Sequence, residues 1–170
     1  MFNLDATSIT VLSGPDTHLG FTVAELRRAA VPEVDIRAGV VAHLAAAIDE
    51  QAEQLRTRFI TPGAGQALEY QEAQTQAAAA LKGAASAATA EKYPMLAASI
   101  GVDIDPETGA PATDIVGVAR GVQAARDAWL AIGAAIRGVR LKGKAAIATA
   151  ATVEEAVAAY DAIGWPPLPG

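Results

Sequence analysis

Residues able to do chemistry are few in this chain, and their spacing is poor for catalysis. There are two histidines, His18 and His43. His18 is expected in the presumed turn, and His43 stands one step before Leu44 in a helical stretch. Neither shares a metal-ligand spacing such as HExxH with a carboxylate, so both read as surface or partly buried residues. Asp103-Ile104-Asp105-Pro106-Glu107-Thr108-Gly109 gathers three carboxylates in one segment. Calcium favours such oxygen-rich loops, but Pro106 intrudes and no glutamate follows at the twelfth position, so a solvated acidic loop is the expectation. Gly63-Ala64-Gly65 has two of the glycines of a dinucleotide loop. It follows a helical stretch instead of a strand, and so reads as a helix stop and restart. Ser8, Ser13, Ser86 and Ser99 have no nucleophile-elbow context. No catalytic, cofactor-binding or metal-ligating residue is expected.

The basic residues are locally clustered: Arg27-Arg28, Arg56 with Arg58, and Arg137, Arg140, Lys142 and Lys144. The last four suit the negative end of a helix dipole, with docking on an acidic partner as the functional alternative. The chain as a whole is acidic, with a formal net charge of −6 over 170 residues. That balance argues against a general nucleic-acid binder, which needs clustered cations for phosphate. With no cysteine, a disulfide framework, a thiolate zinc site and a thiol nucleophile are all excluded. Hydrophobic residues make up 52% of the chain, but 42 of them are alanine, so the figure overstates the core. The uncharged apolar stretches 128–136 and 145–153 fall far short of the roughly 20 residues that span a bilayer. Neither a membrane anchor nor a signal peptide is expected.

Residues 1–20 differ in texture from the rest. Ile9 and Val11 favour extended structure, Ser13-Gly14-Pro15-Asp16 is a turn signal, and Leu19 to Val23 reads as a return strand. Thr22 with Glu25 forms a capping box for a short helix ending near Ala30. From Pro32 the pattern is helical. Val34, Val41, Ile48 and Leu55 fall seven apart, with Leu44 between, in a helix reaching about Ile60. Thr61-Pro62-Gly63-Ala64-Gly65 breaks it. A second helix follows to about Gly83, with the stripe Ala67, Tyr70, Ala73, Ala77 and Leu81. The short connection makes the two helices antiparallel neighbours. Tyr93-Pro94-Met95-Leu96 opens a brief helical turn, and 101–112 reads as loop.

The strongest periodicity comes next. Ile115, Val118, Val122, Ala125, Trp129, Ile132, Ile136 and Val139 alternate three and four apart. This is an a/d seam, continued weakly by Gly143 and Ala146, and these eight residues are the expected assembly seam, packed either within one chain or between copies. A helix from 113 to 149 would be on the order of 55 Å long. Gly117, Gly121, Gly133, Gly138 and Gly143 lie inside it, each costing up to about 1 kcal/mol against alanine. Packing must offset that cost. Thr152 with Glu155 caps a last helix to Ile163. The expected fold is mainly α, with long antiparallel helices in a bundle or coiled coil and a small N-terminal hairpin. The expected division is an attachment arm at 1–31, a helical domain at 32–165 and an extended tail at 166–170.

The order of these segments carries a resemblance. Arg56-Thr57-Arg58-Phe59-Ile60-Thr61-Pro62-Gly63-Ala64-Gly65-Gln66 precedes Tyr70 and an Ala/Gln-rich helix. Then follow Tyr93-Pro94-Met95-Leu96-Ala97-Ala98, Trp129-Leu130-Ala131-Ile132-Gly133-Ala134-Ala135-Ile136 and Lys144-Ala145-Ala146-Ile147. Over residues 50–165 the chain resembles a helical module of tail-fibre and tail-tip accessory proteins of tailed phages, prophages and gene-transfer-agent-like particles of alphaproteobacteria. The resemblance implies a non-enzymatic virion component, made in the host cytoplasm and acting through self-assembly and docking on other virion proteins. A homo-oligomer is implied, with a trimer favoured. It implies no cofactor, and neither nucleic acid nor membrane as partner. A fibre-assembly helper and a head-decoration protein are the alternative roles.

Overall fold

A computed structural model describes residues 2–58 and 64–167. The expected break at Thr61-Pro62-Gly63 and the last three residues of the expected tail lie outside the described residues. The fold is mainly helical, 61% by residue, with a small N-terminal antiparallel hairpin. Two strands, β1 (Ile9–Ser13) and β2 (Asp16–Phe21), are followed by helices α1 (Val23–Arg28), α2 (Glu33–Thr57) and α3 (Ala64–Ala80). A 3-10 turn at Ala85–Ala87 and the short α4 (Pro94–Ala97) lead to strands β3 (Ile104–Asp105) and β4 (Ala110–Pro111). The long α5 (Ile115–Thr149) and α6 (Val153–Asp161) complete the order. The chain forms two compact units. One is Met1–Arg56 with Ala134–Gly170, and the other is Thr57–Gly133.

In the first unit, β1 pairs antiparallel with β2 across the Gly14-Pro15 turn, where Gly14 takes φ +57°. Glycine at the first central position suits such a tight hairpin. Ile9 and Val11 point inward, and β1 lies so close to α2 that a Cβ on Gly39 would stand 2.8 Å from the Thr10 carbonyl oxygen. The Thr22 hydroxyl and the Glu25 carboxylate complete the expected capping box of α1. Val23 is the first residue of that helix and not part of the return strand.

Helix α2 buries Ile36, Val40, Leu44, Ile48 and Ala52. This row advances by four residues, not by the expected seven-residue repeat, and Val34 is 62% exposed. Residues four apart form one of the ridges by which helices pack, and β1 also lies against this helix at Gly39. Ile147 of α5 and Val153 and Ala156 of α6 join this core. Asp49 accepts from Lys144 Nζ at 2.8 Å and from Arg140 Nε at 2.6 Å, while Arg37 donates to the Ala150 carbonyl at 2.9 Å. Low numbers on α2 therefore meet high numbers on α5, which makes the two helices antiparallel. Gln51 donates to Tyr160 Oη and accepts from Trp165 Nε1, holding the C-terminal segment on α2. Phe2 packs edge-on against His43 and Tyr160, and its N–H donates to Asp161. The N-terminal segment is thus part of this core, and the boundary expected at residue 31 does not exist. Ile9, Val11, Val23 and Leu26 would leave their apolar surface in water if the arm stood apart.

In the second unit, Ala77 and Ala80 of α3 meet Tyr93 and Leu96 near α4, and Ile115, Val118 and Ala119 of α5. Gln76 Oε1 accepts from the Met95 N–H at 3.0 Å, capping the free end of α4. The expected α3 stripe faces the core only in part. Ala73 and Ala77 face the core, but Ala67, Tyr70 and Leu81 are exposed, and Gln76 and Ala80 take the inward places. Alanine spacing alone could not reveal this, because α3 carries alanine on several faces.

Candidate functional site

The acidic segment expected as a loop is a hairpin. Beyond the β3–β4 pairing, the Gly101 N–H donates to the Ala112 carbonyl and the Ala112 N–H to the Asp103 carbonyl, both at 2.8 Å. Gly109 makes the return possible with φ +70°. The polarity of the hairpin is inverted. Val102 is 73% exposed and Ile104 is 52% exposed, whereas Asp105 between the strands' apolar positions is 5% exposed. Alternation along a strand sends neighbouring side chains to opposite faces, so turning Asp105 inward commits Ile104 to the outside. Ile100, Ala110 and Pro111 are also exposed.

Two features fix this orientation. Arg120 of α5 grips Asp105 with both ends of its guanidinium, Nε to Oδ1 at 2.9 Å and Nη2 to Oδ2 at 2.5 Å, and also reaches Glu107 at 3.1 Å. The Glu107 N–H donates to Asp105 as well. Close backbone approach is the second. A Cβ on Gly121 would lie 2.7 Å from the Ile104 carbonyl oxygen, and one on Gly117 would lie 2.9 Å from Asp105 Oδ2. Both glycines are costly in a helix interior; Gly121 is where the hairpin backbone beds against α5, and Gly117 leaves room for the Asp105 carboxylate and the Ala112 side chain. The hairpin's carboxylates are thus not set out as cation ligands. Among the described residues no group of three or more His, Cys, Asp or Glu is placed to hold a metal ion.

The Arg120 guanidinium, and after it the Glu107 N–H, hold the Asp105 carboxyl below its ordinary value of 3.8. Because the folded pKa is depressed, this stabilisation is full above the unfolded value of about 3.9 and is lost as pH falls through the folded one. The thermal midpoints of wild type and Asp105→Asn should therefore converge on acidification from roughly pH 5 to pH 2. A constant gap across that range would contradict the assignment. Asp49, lowered by Lys144 and Arg140, adds to the acid sensitivity of both proteins alike.

The seam on α5 is distributed over two environments. Ile115 and Val118 lie in the core of the second unit, with Val122 at its edge. Ala125 is exposed, while Trp129 and Ile132 are half-buried. The Trp129 ring lies over its own helix, 3.4 Å from where a Gly133 Cβ would stand. Ile136 is fully buried and Val139 half-buried. The inward line continues through Gly143 and Ile147 and leaves the expected Ala146 exposed, since Gly143 is where Ile163 and Ile48 approach α5. Both ends of the seam thus pack within the chain.

His18 lies on β2, paired with Val11 and edge-on to Phe21, and not in the expected turn, because the turn is confined to Gly14-Pro15. Ala64 and Gly65 open α3, and Gly63 is outside the described residues. Arg27 pairs with Glu33 and Glu154. Of the four cations late in α5, Arg140 and Lys144 are engaged by Asp49, while Arg137 and Lys142 are exposed. A shallow polar cleft is lined by Gln71, Gln74, Thr75, Lys82 and Arg126. No helix among the described residues is long and apolar enough to cross a membrane. Comparison with family models, with curated proteins and with solved structures finds no match for the chain.

The inverted hairpin was missed in the sequence. Its signal was present as Val102 and Ile104 alternating with Asp103 and Asp105, with Gly109 at the return. The carboxylates and prolines of the same stretch carry the stronger local signal, for a solvated loop.

Proposed function

We propose that this chain is a non-enzymatic structural component of a tailed-phage particle, at a tail fibre or tail tip, acting by docking on other virion proteins and on further copies of itself. The observation that carries the reading is the inverted hairpin, which displays Val102 and Ile104 to solvent and holds them there by Arg120, Gly117 and Gly121. Contiguous apolar side chains presented on a braced support are typical of an interaction surface. The order of helical motifs that resembles tail accessory proteins supplies the setting. The proposed oligomer forms through surfaces other than the α5 seam, whose ends the chain's own cores occupy. A trimer is retained within the proposal as a closed ring of copies.

Quantitative mass spectrometry of density-purified particles from the encoding phage or lysogen tests this. The expected result is the chain at a few copies per particle. Hundreds of copies would replace the tail position by head decoration, and absence would leave the role of a fibre-assembly helper.

A further inference from the structure

The hairpin face is not only apolar. Asp105, turned inward, and the exposed Glu107 share the single guanidinium of Arg120, while the half-buried Asp103 makes no ion pair among the described residues, so the hairpin carries an excess of negative charge. A matching surface needs an exposed large apolar residue flanked by free cations. Residues 134–149 of α5 supply one. Ala134, Arg137, Leu141, Ala145 and Ala148 recur three and four apart on one helix face, and all are exposed, Leu141 by 46%. Arg137 and Lys142 flank Leu141, and neither makes an ion pair among the described residues.

We infer that the occupant of the hairpin face is the Leu141 face of a second copy of this chain. Val102 and Ile104 of one copy pack on Leu141 and the neighbouring alanines of the next, with Arg137 and Lys142 set against Asp103 and Glu107. The two faces differ, so the contact is heterologous. Copies then add head to tail, closing into a ring where the rotation allows and otherwise extending into a filament. Opposite charge at the rim selects the partner face and speeds encounter, while the apolar centre supplies the burial. The inference names the partner of the surface invoked above and so rests on that reading.

Sedimentation velocity on the purified full chain tests it. Wild type should sediment as species larger than one copy. Ile104→Arg and Leu141→Glu should each sediment as monomer while keeping wild-type helicity and thermal midpoint. Mixed in equal amounts they should form a one-to-one dimer and nothing larger, because each variant retains the face that the other has lost. A monomeric wild type, either variant associating by itself, or a mixture that stays monomeric would overturn the inference. Should either variant fail to fold, Asp103→Lys and Lys142→Glu provide the same test on exposed charge. Each should weaken association, and both in one chain should recover it, whereas no recovery would count against the pairing. A chain present in particles yet monomeric in solution would overturn this contact and leave the particle assignment standing. Head-to-tail association by a chain absent from particles would do the reverse.

Discussion

Ile48→Ala is expected to destabilise the protein by about 2–5 kcal/mol, the range for an isoleucine truncated in a core that cannot collapse around the gap. Ile48 is fully buried, midway along α2, in the cluster that joins β1, α2, α5 and α6. Its Cδ1 stands 3.6 Å from where a Cβ on Gly143 would be, so the facing residue has no side chain with which to fill the space. Asp49, the next residue, ties α2 to α5 through Arg140 and Lys144, which resists closure of the helices over the cavity. Chemical denaturation of the full chain measures the effect. Trp165 reports on this unit through its bond to Gln51, and Trp129 belongs to the other. The midpoint seen by Trp165 should move strongly. A loss of less than about 1 kcal/mol would mean that the core lies elsewhere.

The second large effect is a difference in sign between two glycines of one helix. Gly121→Ala places a methyl group 2.7 Å from the Ile104 carbonyl oxygen, and a backbone atom cannot swing aside as a side-chain terminus can. The hairpin must shift, which costs about 1–3 kcal/mol and outweighs the roughly 1 kcal/mol that alanine gains over glycine in a helix. Gly138→Ala meets nothing within 4 Å, so the propensity gain stands alone and stabilisation of about 0.4–1 kcal/mol is expected. Thermal midpoints of the two variants should therefore move in opposite directions. Equal shifts would show that Gly121 is not where the hairpin beds. The contrast also explains why so long a helix tolerates glycine, since Gly117, Gly121 and Gly143 each admit a neighbour at close range.

The elements were legible where a residue's local chemistry decides the outcome. Thr22 with Glu25, Asp114 before α5 and Thr152 with Glu155 each mark a helix start, because a side-chain oxygen there satisfies a backbone N–H that has no helical partner. Gly14-Pro15 marks the first turn through its backbone, because glycine takes the positive φ there and proline fixes its own φ. Faces were less legible. Val34 and Ile36 are equally apolar, and which of them turns inward depends on β1 and α6 arriving from distant parts of the chain. The seam from Ile115 to Val139 was visible as a period, yet a period does not say what covers it. The structure buries its ends and leaves Ala125 open.

The candidate site was least legible of all. An acidic stretch containing two prolines reads as solvated loop, because side-chain polarity ordinarily points outward. Here Arg120, fifteen positions away on α5, draws Asp105 inward, and the alternation of the strand then sends Ile104 out. No local pattern contains that guanidinium. The glycines of α5 were the nearest clue, since their cost implied a close neighbour without naming it.

The central claim is that the chain is held in a particle through its outward apolar hairpin. The most direct measurement is mass spectrometry of density-purified particles assembled with wild-type chain and, in parallel, with Ile104→Arg chain shown to be folded. The account predicts wild type at a few copies per particle and the variant lost or strongly depleted. Equal retention of wild type and variant would contradict it.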